Sequence, residues 1–454
     1  MEYVDFISDK AQWNHEAGFK PNCTPDFLFD FQKHLFAYAC TKGRSAIFAD
    51  CGMGKTAIEL AFGHQVVQQT NKPVLLLTPI AVGQQVIQES VKFGIDARRS
   101  RGGEFDGSKC IWVTNYEQLS KFDPMDFGGI ICDESSRIKD AKSATKHDVT
   151  EFMRRIKYRL LCTATAAPND YHELGTSSEA LGLLGFRDMI TTFFKQDTHK
   201  DGRGWGRTKY RFRGHAQQPF WAWVCSWARS CRKPSDLGFD DSRFELPELI
   251  EKEHVVATAK CRDGMLFAMP GATLQEEREE RRNSIAERCD MAAGIAESHN
   301  GHSVVWCELN DEGDELQKRL PQAKQIKGSM PDEQKEEFLQ AFSDGEIRHL
   351  ITKPKIGAWG LNWQHCNNSI HLPSHSYEQY YQAVRRFYRF GQSKPVNVSL
   401  IVNEGEAGIL TSLRRKTLQV NNMFASIVSH MQDAMHLQTS DFYPDKERLP
   451  KWLA

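Results

Sequence analysis

Short continuous apolar runs alternate along this chain with stretches whose apolar residues recur every three or four positions. The first pattern suits a strand buried on both faces, the second an amphipathic helix. In the first half, Ala46–Ala49, Val74–Thr78, Ile111–Thr114, Gly129–Cys132 and Arg159–Cys162 read as strands. Between the first two, Ile58, Ala61, Phe62 and Val66 line one face of a helix. A second series runs Val304–Cys307, Lys324–Ile326, His349–Thr352, Ser369–Leu372 and Val396–Val402, again with helices between. Such alternation predicts an α/β protein with parallel sheets flanked by helices, arranged as two consecutive lobes. From Gly185 to Leu249 the rhythm breaks in a Trp- and Arg-rich stretch containing Pro219 and Pro234. It reads as a mainly helical insertion over 186–249, between a first lobe at 1–185 and a second at 250–454 that ends in a helical segment. The charged stretch from Gln275 to Arg288 reads as a solvated helix leading into the second lobe.

The length of 454 residues fits two or three domains, and 40% hydrophobic with 26% charged residues is a globular balance. A net charge of -1 leaves any nucleic-acid contact to local basic patches. Twelve cysteines occur without a Cys-x-x-Cys pair, and Cys51, Cys132, Cys162 and Cys307 sit in or beside apolar runs, as small core residues do. Cys225, Cys231 and His215 lie close in sequence, but a fourth ligand at zinc spacing is missing. The N-terminus has neither the basic start nor the apolar core of a signal peptide, and no apolar run approaches the ~20 residues of a membrane span. A cytoplasmic protein with no membrane partner is expected.

The strongest chemical signal is a strand, Ala46-Ile47-Phe48-Ala49, running into Asp50-Cys51-Gly52-Met53-Gly54-Lys55-Thr56 and then a helix. Gly52 and Gly54 let backbone N–H groups turn toward an anion, and the helix N-terminus adds partial positive charge. Lys55 would reach the outer phosphates of ATP, and the Thr56 hydroxyl would ligate Mg²⁺. Ala49 stands where the general phosphate-loop pattern has its first glycine. The partner signal is Asp133-Glu134, directly after the strand Gly129–Cys132. Asp133 would hold Mg²⁺ and Glu134 would polarise the attacking water.

With these blocks in order, the chain resembles the helicase-like ATPases of superfamily two, and within them the SWI/SNF-type DNA translocases. Phe31-Gln32 matches an upstream glutamine that reads adenine, Thr78-Pro79 with Gln84 the block after the second strand, and Thr114-Asn115-Tyr116-Glu117 the family's "T-S-Y-E". The run Asp133 to Asp140 is similar to "D-E-A-H-R-I-K-N", and Leu161 to Pro168 is similar to "L-T-G-T-P", which is implied to couple nucleotide state to the track. In the second lobe, Gly328-Ser329-Met330 precedes a helix as in the family, and Lys353 to Asn362 resembles "K-A-G-G-x-G-L-N". The run Gln382 to Gln392 resembles "Q-A-x-D-R-x-x-R-x-G-Q". The resemblance implies two RecA-like lobes in tandem, nucleotide contacts at Gly360 and Gln382, and Arg386 and Arg389 as arginine fingers. Arg386 and Arg389, three apart on a predicted helix, would leave one face together and meet the triphosphate held by Lys55. Arg385 replaces the family's aspartate, and Ser135-Ser136 replaces Ala-His, removing a histidine that often links the ATP site to the coupling segment. Compact bacteriophage members of the family look similar, which implies a viral or prophage origin and partners in replication, recombination or defence.

For a track, candidates are Thr78, Asn115, Tyr116 and Arg137 in the first lobe and Lys353 and Lys355 in the second. Lys209-Tyr210-Arg211-Phe212-Arg213 alternates cation and aromatic, so a strand there would show Lys209, Arg211 and Arg213 on one side, either to brace a duplex or as a charged edge that resists aggregation. Trp223 and Trp227, with Phe220, Val224 and Cys231, repeat at helical spacing; bases could stack there, but the spacing favours core. The expected activity is an ATP- and Mg²⁺-dependent translocase on double-stranded DNA. A strand-separating DNA or RNA helicase and a nucleotide-gated clamp subunit are the alternatives.

Overall fold

The computed structural model describes residues 17–199, 207–257, 274–357 and 362–442. They fall into two compact units, one of residues 17–78, 86–199, 207–241 and 420–442, the other of 79–85, 242–257, 274–357 and 362–419.

In the first unit, α1 (Asp30–Lys42), β1 (Arg44–Ala49), α2 (Lys55–Thr70) and β2 (Val74–Thr78) are followed by α3 (Gly83–Phe93), β3 (Ala97–Arg99), β4 (Ile111–Asn115) and β5 (Gly129–Asp133). Then come α4 (Ala144–Arg154), β6 (Tyr158–Cys162), α5 (Leu174–Leu181), α6 (Phe186–Phe193), the hairpin β7 (Phe194–His199) and β8 (Arg207–Phe212), α7 (Gln217–Trp227) and β9 (Ala228–Cys231). Seven strands form one sheet in the order β3-β4-β2-β5-β6-β1-β9, and every recorded pairing in it is parallel. Strands β1, β2, β5 and β6 are buried along nearly their whole length, which is why their sequences are apolar throughout rather than alternating.

Of the stretch expected to be a separate, mainly helical insertion, the described residues up to 241 belong to this unit. It supplies the antiparallel hairpin β7–β8, and its β9 extends the sheet by pairing with β1, Ala46 to Ala228 through Ala49 to Cys231. Helix α7 buries Phe220, Trp223, Val224 and Trp227, so the aromatic stripe is core, with Trp227 edge-on to Phe48 of β1. Cys225 and Cys231 are buried and His215 is exposed. Burial pushes the Cys225 thiol up to about 11. These are packing cysteines, and among the described residues no metal-ligating group of three or more His, Cys, Asp or Glu forms.

The second unit runs β10 (Leu249–Val256), α8 (Leu274–Asn283), α9 (Ile285–Ser298), β11 (Ser303–Trp306), α10 (Asn310–Arg319), β12 (Lys324–Gln325), α11 (Asp332–Ser343), β13 (His349–Thr352), β14 (Asn368–His371), α12 (Tyr377–Val384) and β15 (Val396–Asn403). Helix α13 (Ala407–Phe442) closes the described chain. Six strands form a sheet in the order β10-β15-β14-β11-β13-β12, again with parallel pairings throughout. Both sheets are parallel, as expected for two α/β lobes. Helix α8 is not the solvated helix that its charge suggested. Glu280 and Arg281 are buried, and Arg281 Nε donates to Glu406 at 2.7 Å. In α9, the fully buried Arg288 pairs with Glu312 at 2.9 Å, and its Nη2 donates to the carbonyl of Arg281 at 2.6 Å. Among the described residues no helix is long and apolar enough to cross a membrane.

Candidate active site

Sheet order and register bring the phosphate loop and the acids to one edge. Ile47 in β1 is level with Cys162 in β6, which is level with Asp133 in β5. The loop after β1 and the acids ending β5 therefore emerge one strand apart, at the carboxyl ends where parallel sheets hold ligands. Gly52 and Gly54 both have left-handed backbones, φ 89° and 75°, a conformation that costs glycine least. Gly54 caps α2 without any side-chain acceptor, so the first N–H groups of the helix have no capping side chain, as an anion site requires.

Lys55 Nζ donates to the carbonyls of Ala49 at 3.0 Å and Asp50 at 3.4 Å. Burial works to lower its pKa, but negative charge at Cys51, Glu134, Asp133 and Asp50 outweighs that and raises it. Its ammonium stays charged, and the loop carbonyls hold it in place. Gln32, buried in α1, donates through Nε2 to the Met53 carbonyl at 3.0 Å. A methyl group on Gly54 would come within 2.2 Å of that nitrogen, so Gln32 rests against the loop and fixes its shape. Thr56 is half-buried in the first turn of α2.

Asp133 and Glu134 are both buried. Asp133 Oδ1 accepts from the Glu134 N–H at 2.9 Å, and its carbonyl accepts from the Tyr116 hydroxyl at 2.6 Å. Glu134 has a left-handed backbone, φ 51° and ψ 52°. For a residue with a Cβ this costs about 1–2 kcal/mol, and such strain persists where surrounding contacts over-determine it. The Thr163 hydroxyl donates to Glu134 Oε2 at 3.2 Å, and also accepts from the Thr165 N–H at 3.1 Å. That is a physical link between the acid and the segment resembling "L-T-G-T-P". It bypasses the histidine that Ser135-Ser136 replaces.

Sequence reasoning missed Glu59, one turn after Lys55 on the inner face of α2. It is fully buried. Burial first, then the charges of Asp133 and Glu134, raises its pKa well above the carboxylate range, while Lys55 and the Cys162 thiol beside it oppose that. A carboxyl kept protonated in the fold favours the folded state below its unfolded pKa of about 4.3. That contribution declines at higher pH and is lost as pH rises through the folded value. Glu59→Gln is therefore expected to be more stable than the parent at pH 8, with the gap closing toward about pH 4. Urea denaturation across that range measures it, and parallel curves would mean that Glu59 is ionised in the fold.

Several track candidates take other roles. Thr78 and Tyr116 are buried, Tyr116 spending its hydroxyl on Asp133, so neither side chain offers a surface to a polynucleotide. Asn115 caps the following turn, accepting from the Gln118 N–H at 3.0 Å. Arg137 lies over the Tyr116 ring and pairs with Glu117 at 2.8 Å. Arg211 is exposed on β8; Arg213 lies past the strand, with its Nε donating to the Phe194 carbonyl at 2.9 Å. Lys209 lies in β8, with its side chain outside the described residues. In the second unit, Lys353 is half-buried and Lys355 exposed, and Gly360 lies outside the described residues.

The arginine pair departs from expectation. Helix α12 ends at Val384, and Arg385 is its C-cap. Arg386 and Arg389 follow in turns, so helical spacing does not apply to them. Arg386 is buried, with Nε donating to the Gln382 carbonyl at 3.2 Å and Nη2 to Gln382 Oε1 at 3.1 Å. Gln382 is fully buried and orients that guanidinium. Arg389 is half-buried. Arg385, in the aspartate's place, lies over the rings of Tyr381 and Tyr388 at 5.2 Å from each.

Residues 283–391 match the helicase conserved C-terminal domain. No curated protein matches the chain in sequence. Among solved structures, the Sulfolobus solfataricus SWI2/SNF2 ATPase core in complex with dsDNA is similar at 16% identity and a TM-score of 0.43, over 90% of this chain and 96% of that one.

Proposed function

We propose, from the premise that this chain is a superfamily-two helicase-like protein, that it is an ATP-hydrolysing motor of the SWI/SNF type that moves on double-stranded DNA. One observation carries the reading: a charged Lys55 on an uncapped phosphate loop, with two buried acids one strand away. The donor set fits ATP with Mg²⁺. The N–H groups at the start of α2 and Lys55 would hold the phosphates, while Thr56 and Asp133 would hold the metal. Bound there, Mg²⁺ would neutralise charge on the β- and γ-phosphates.

Glu134 is assigned as the general base. Its carboxylate is held by Thr163 and its backbone by Asp133, which suits orientation of a water for in-line attack. Arg386 and Arg389 are assigned to the charge that develops on the transferred phosphoryl group. Arg389→Ala is expected to slow hydrolysis about 10³-fold while leaving ATP affinity nearer normal. Steady-state ATPase kinetics checks this, and an unchanged turnover number would remove Arg389 from that role.

Duplex DNA, single-stranded DNA and RNA offered in turn to an ATPase assay test the track. Stimulation by duplex is expected. A triplex-displacement assay beside a strand-displacement assay then separates the readings, since a duplex translocase clears the triplex strand and leaves the duplex paired. Displacement of a duplex strand would favour a strand-separating helicase.

A further inference from the structure

The second unit carries another cluster of cations, which includes neither Arg386 nor Arg389. A cavity of about 590 Å³ at the carboxyl ends of its sheet is lined by Arg278, Arg281 and Arg282 of α8, by Lys355 after β13, and by Ser376 and Gln379 at the start of α12. Arg281 forms a fixed wall. It is buried and bound to Glu406 at 2.7 Å, and it also donates to the Pro373 carbonyl. Arg278, Arg282 and Lys355 are exposed. They face one carboxylate on the lining, that of Glu308. Arg278 and Arg282 are one helical turn apart on the same face, where like charges repel unless an anion sits between them.

Two further features point to an anion. Ser376 is the N-cap of α12, its hydroxyl accepting from the Gln379 N–H at 3.4 Å, so this helix start offers the cavity its partial positive charge rather than that N–H. Gln379 Oε1 is buried without a hydrogen-bond partner. The N–H₂ end of this lining amide is the one that could serve a ligand oxygen. The apolar lining consists of Leu309 and Ile409, with the His375 imidazole as its aromatic ring. The four cations of the lining favour contact with phosphate over base, as a motor indifferent to sequence requires. Arg278, Arg281 and Arg282 of α8 lie just before residues 283–391, the stretch that matches the helicase domain.

We propose that this cavity grips the phosphodiester backbone of a polynucleotide, with Arg278 and Arg282 closing over a bed formed by Arg281, Lys355 and the start of α12. The assignment rests on the motor reading above. The full-length Arg278→Gln/Arg282→Gln protein tests it, since both side chains are exposed and folding is not at stake. A charge-matched control, Arg348→Gln/Lys394→Gln, changes exposed cations that precede β13 and β15, at the opposite ends of the strands.

Fluorescence anisotropy with a labelled duplex is followed as salt is raised. For the α8 variant the slope of log affinity against log salt should fall by about 1 per lost contact, hence by about 2. The control should keep the parent slope, and ATP turnover without DNA should be unchanged in both. An α8 variant that binds duplex with the parent affinity and slope would overturn the proposal while leaving the motor reading standing. Weakened affinity for a fluorescent ATP analogue, with duplex binding intact, would also overturn it by making the cavity a nucleotide site. A parent protein that binds no duplex, single strand or RNA would sink the motor reading itself, and this proposal with it.

Discussion

Lys55→Ala is expected to abolish productive ATP binding, with affinity for a fluorescent ATP analogue falling about a hundredfold or more. The lysine now donates to the Ala49 and Asp50 carbonyls, so its ammonium is already positioned over the loop that would carry the triphosphate. Removing it takes away a charge-assisted donor worth about 2–5 kcal/mol when buried. It also leaves Asp50, Asp133 and Glu134 facing the incoming phosphates without the cation they surround. Equilibrium titration in Mg²⁺ measures the loss. Near-parent affinity in the variant would show that the phosphates lie elsewhere.

Glu134→Gln is the second large effect, and it is of a different kind. Glutamine keeps an oxygen to accept from Thr163, which the glutamate does at 3.2 Å, and the contact between the backbone N–H of this residue and Asp133 remains. What disappears is the ability to take a proton from the attacking water, worth about 10²–10⁴ in rate. The variant is expected to bind ATP as the parent does and to turn it over at least about a hundredfold more slowly. Single-turnover hydrolysis beside a binding titration separates the two, and turnover close to the parent rate would remove Glu134 as the base. The left-handed backbone of this residue also predicts that its neighbours matter. Tyr116 holds the Asp133 carbonyl from below at 2.6 Å, so that tyrosine serves the acid pair rather than the track.

Most of the candidate phosphate site was legible in sequence because the chemistry it would need is local. Glycines at fixed offsets, a lysine at the helix start and an acid pair ending an apolar run carry their meaning within a few residues of one another. Strand positions in both lobes were legible for a related reason, since strands buried on both faces leave continuous apolar runs. Several strands escaped, β3 and β7 among them, and two others show why. Ala228-Arg229-Ser230-Cys231 is fully buried yet half polar, with Arg229 covering the Tyr38 ring and Ser230 donating to the Phe48 carbonyl at 3.1 Å. Leu249–Val256 is an edge strand, largely exposed. Neither has the apolar run that marks a buried strand.

By itself, then, the order of residues determined the candidate groups for a triphosphate and the strands buried on both faces, because those depend on neighbours in the chain. Tertiary structure alone decided that β9 flanks β1, that Tyr116 and Thr78 turn inward, and that Glu59 lies buried near Asp133. It also set where α12 stops: the Arg386 carbonyl accepts from the Trp363 N–H at 3.0 Å and Phe387 enters the core, although no glycine or proline marks the place. Burial and distant hydrogen bonds govern these outcomes, and local spacing carries no record of them.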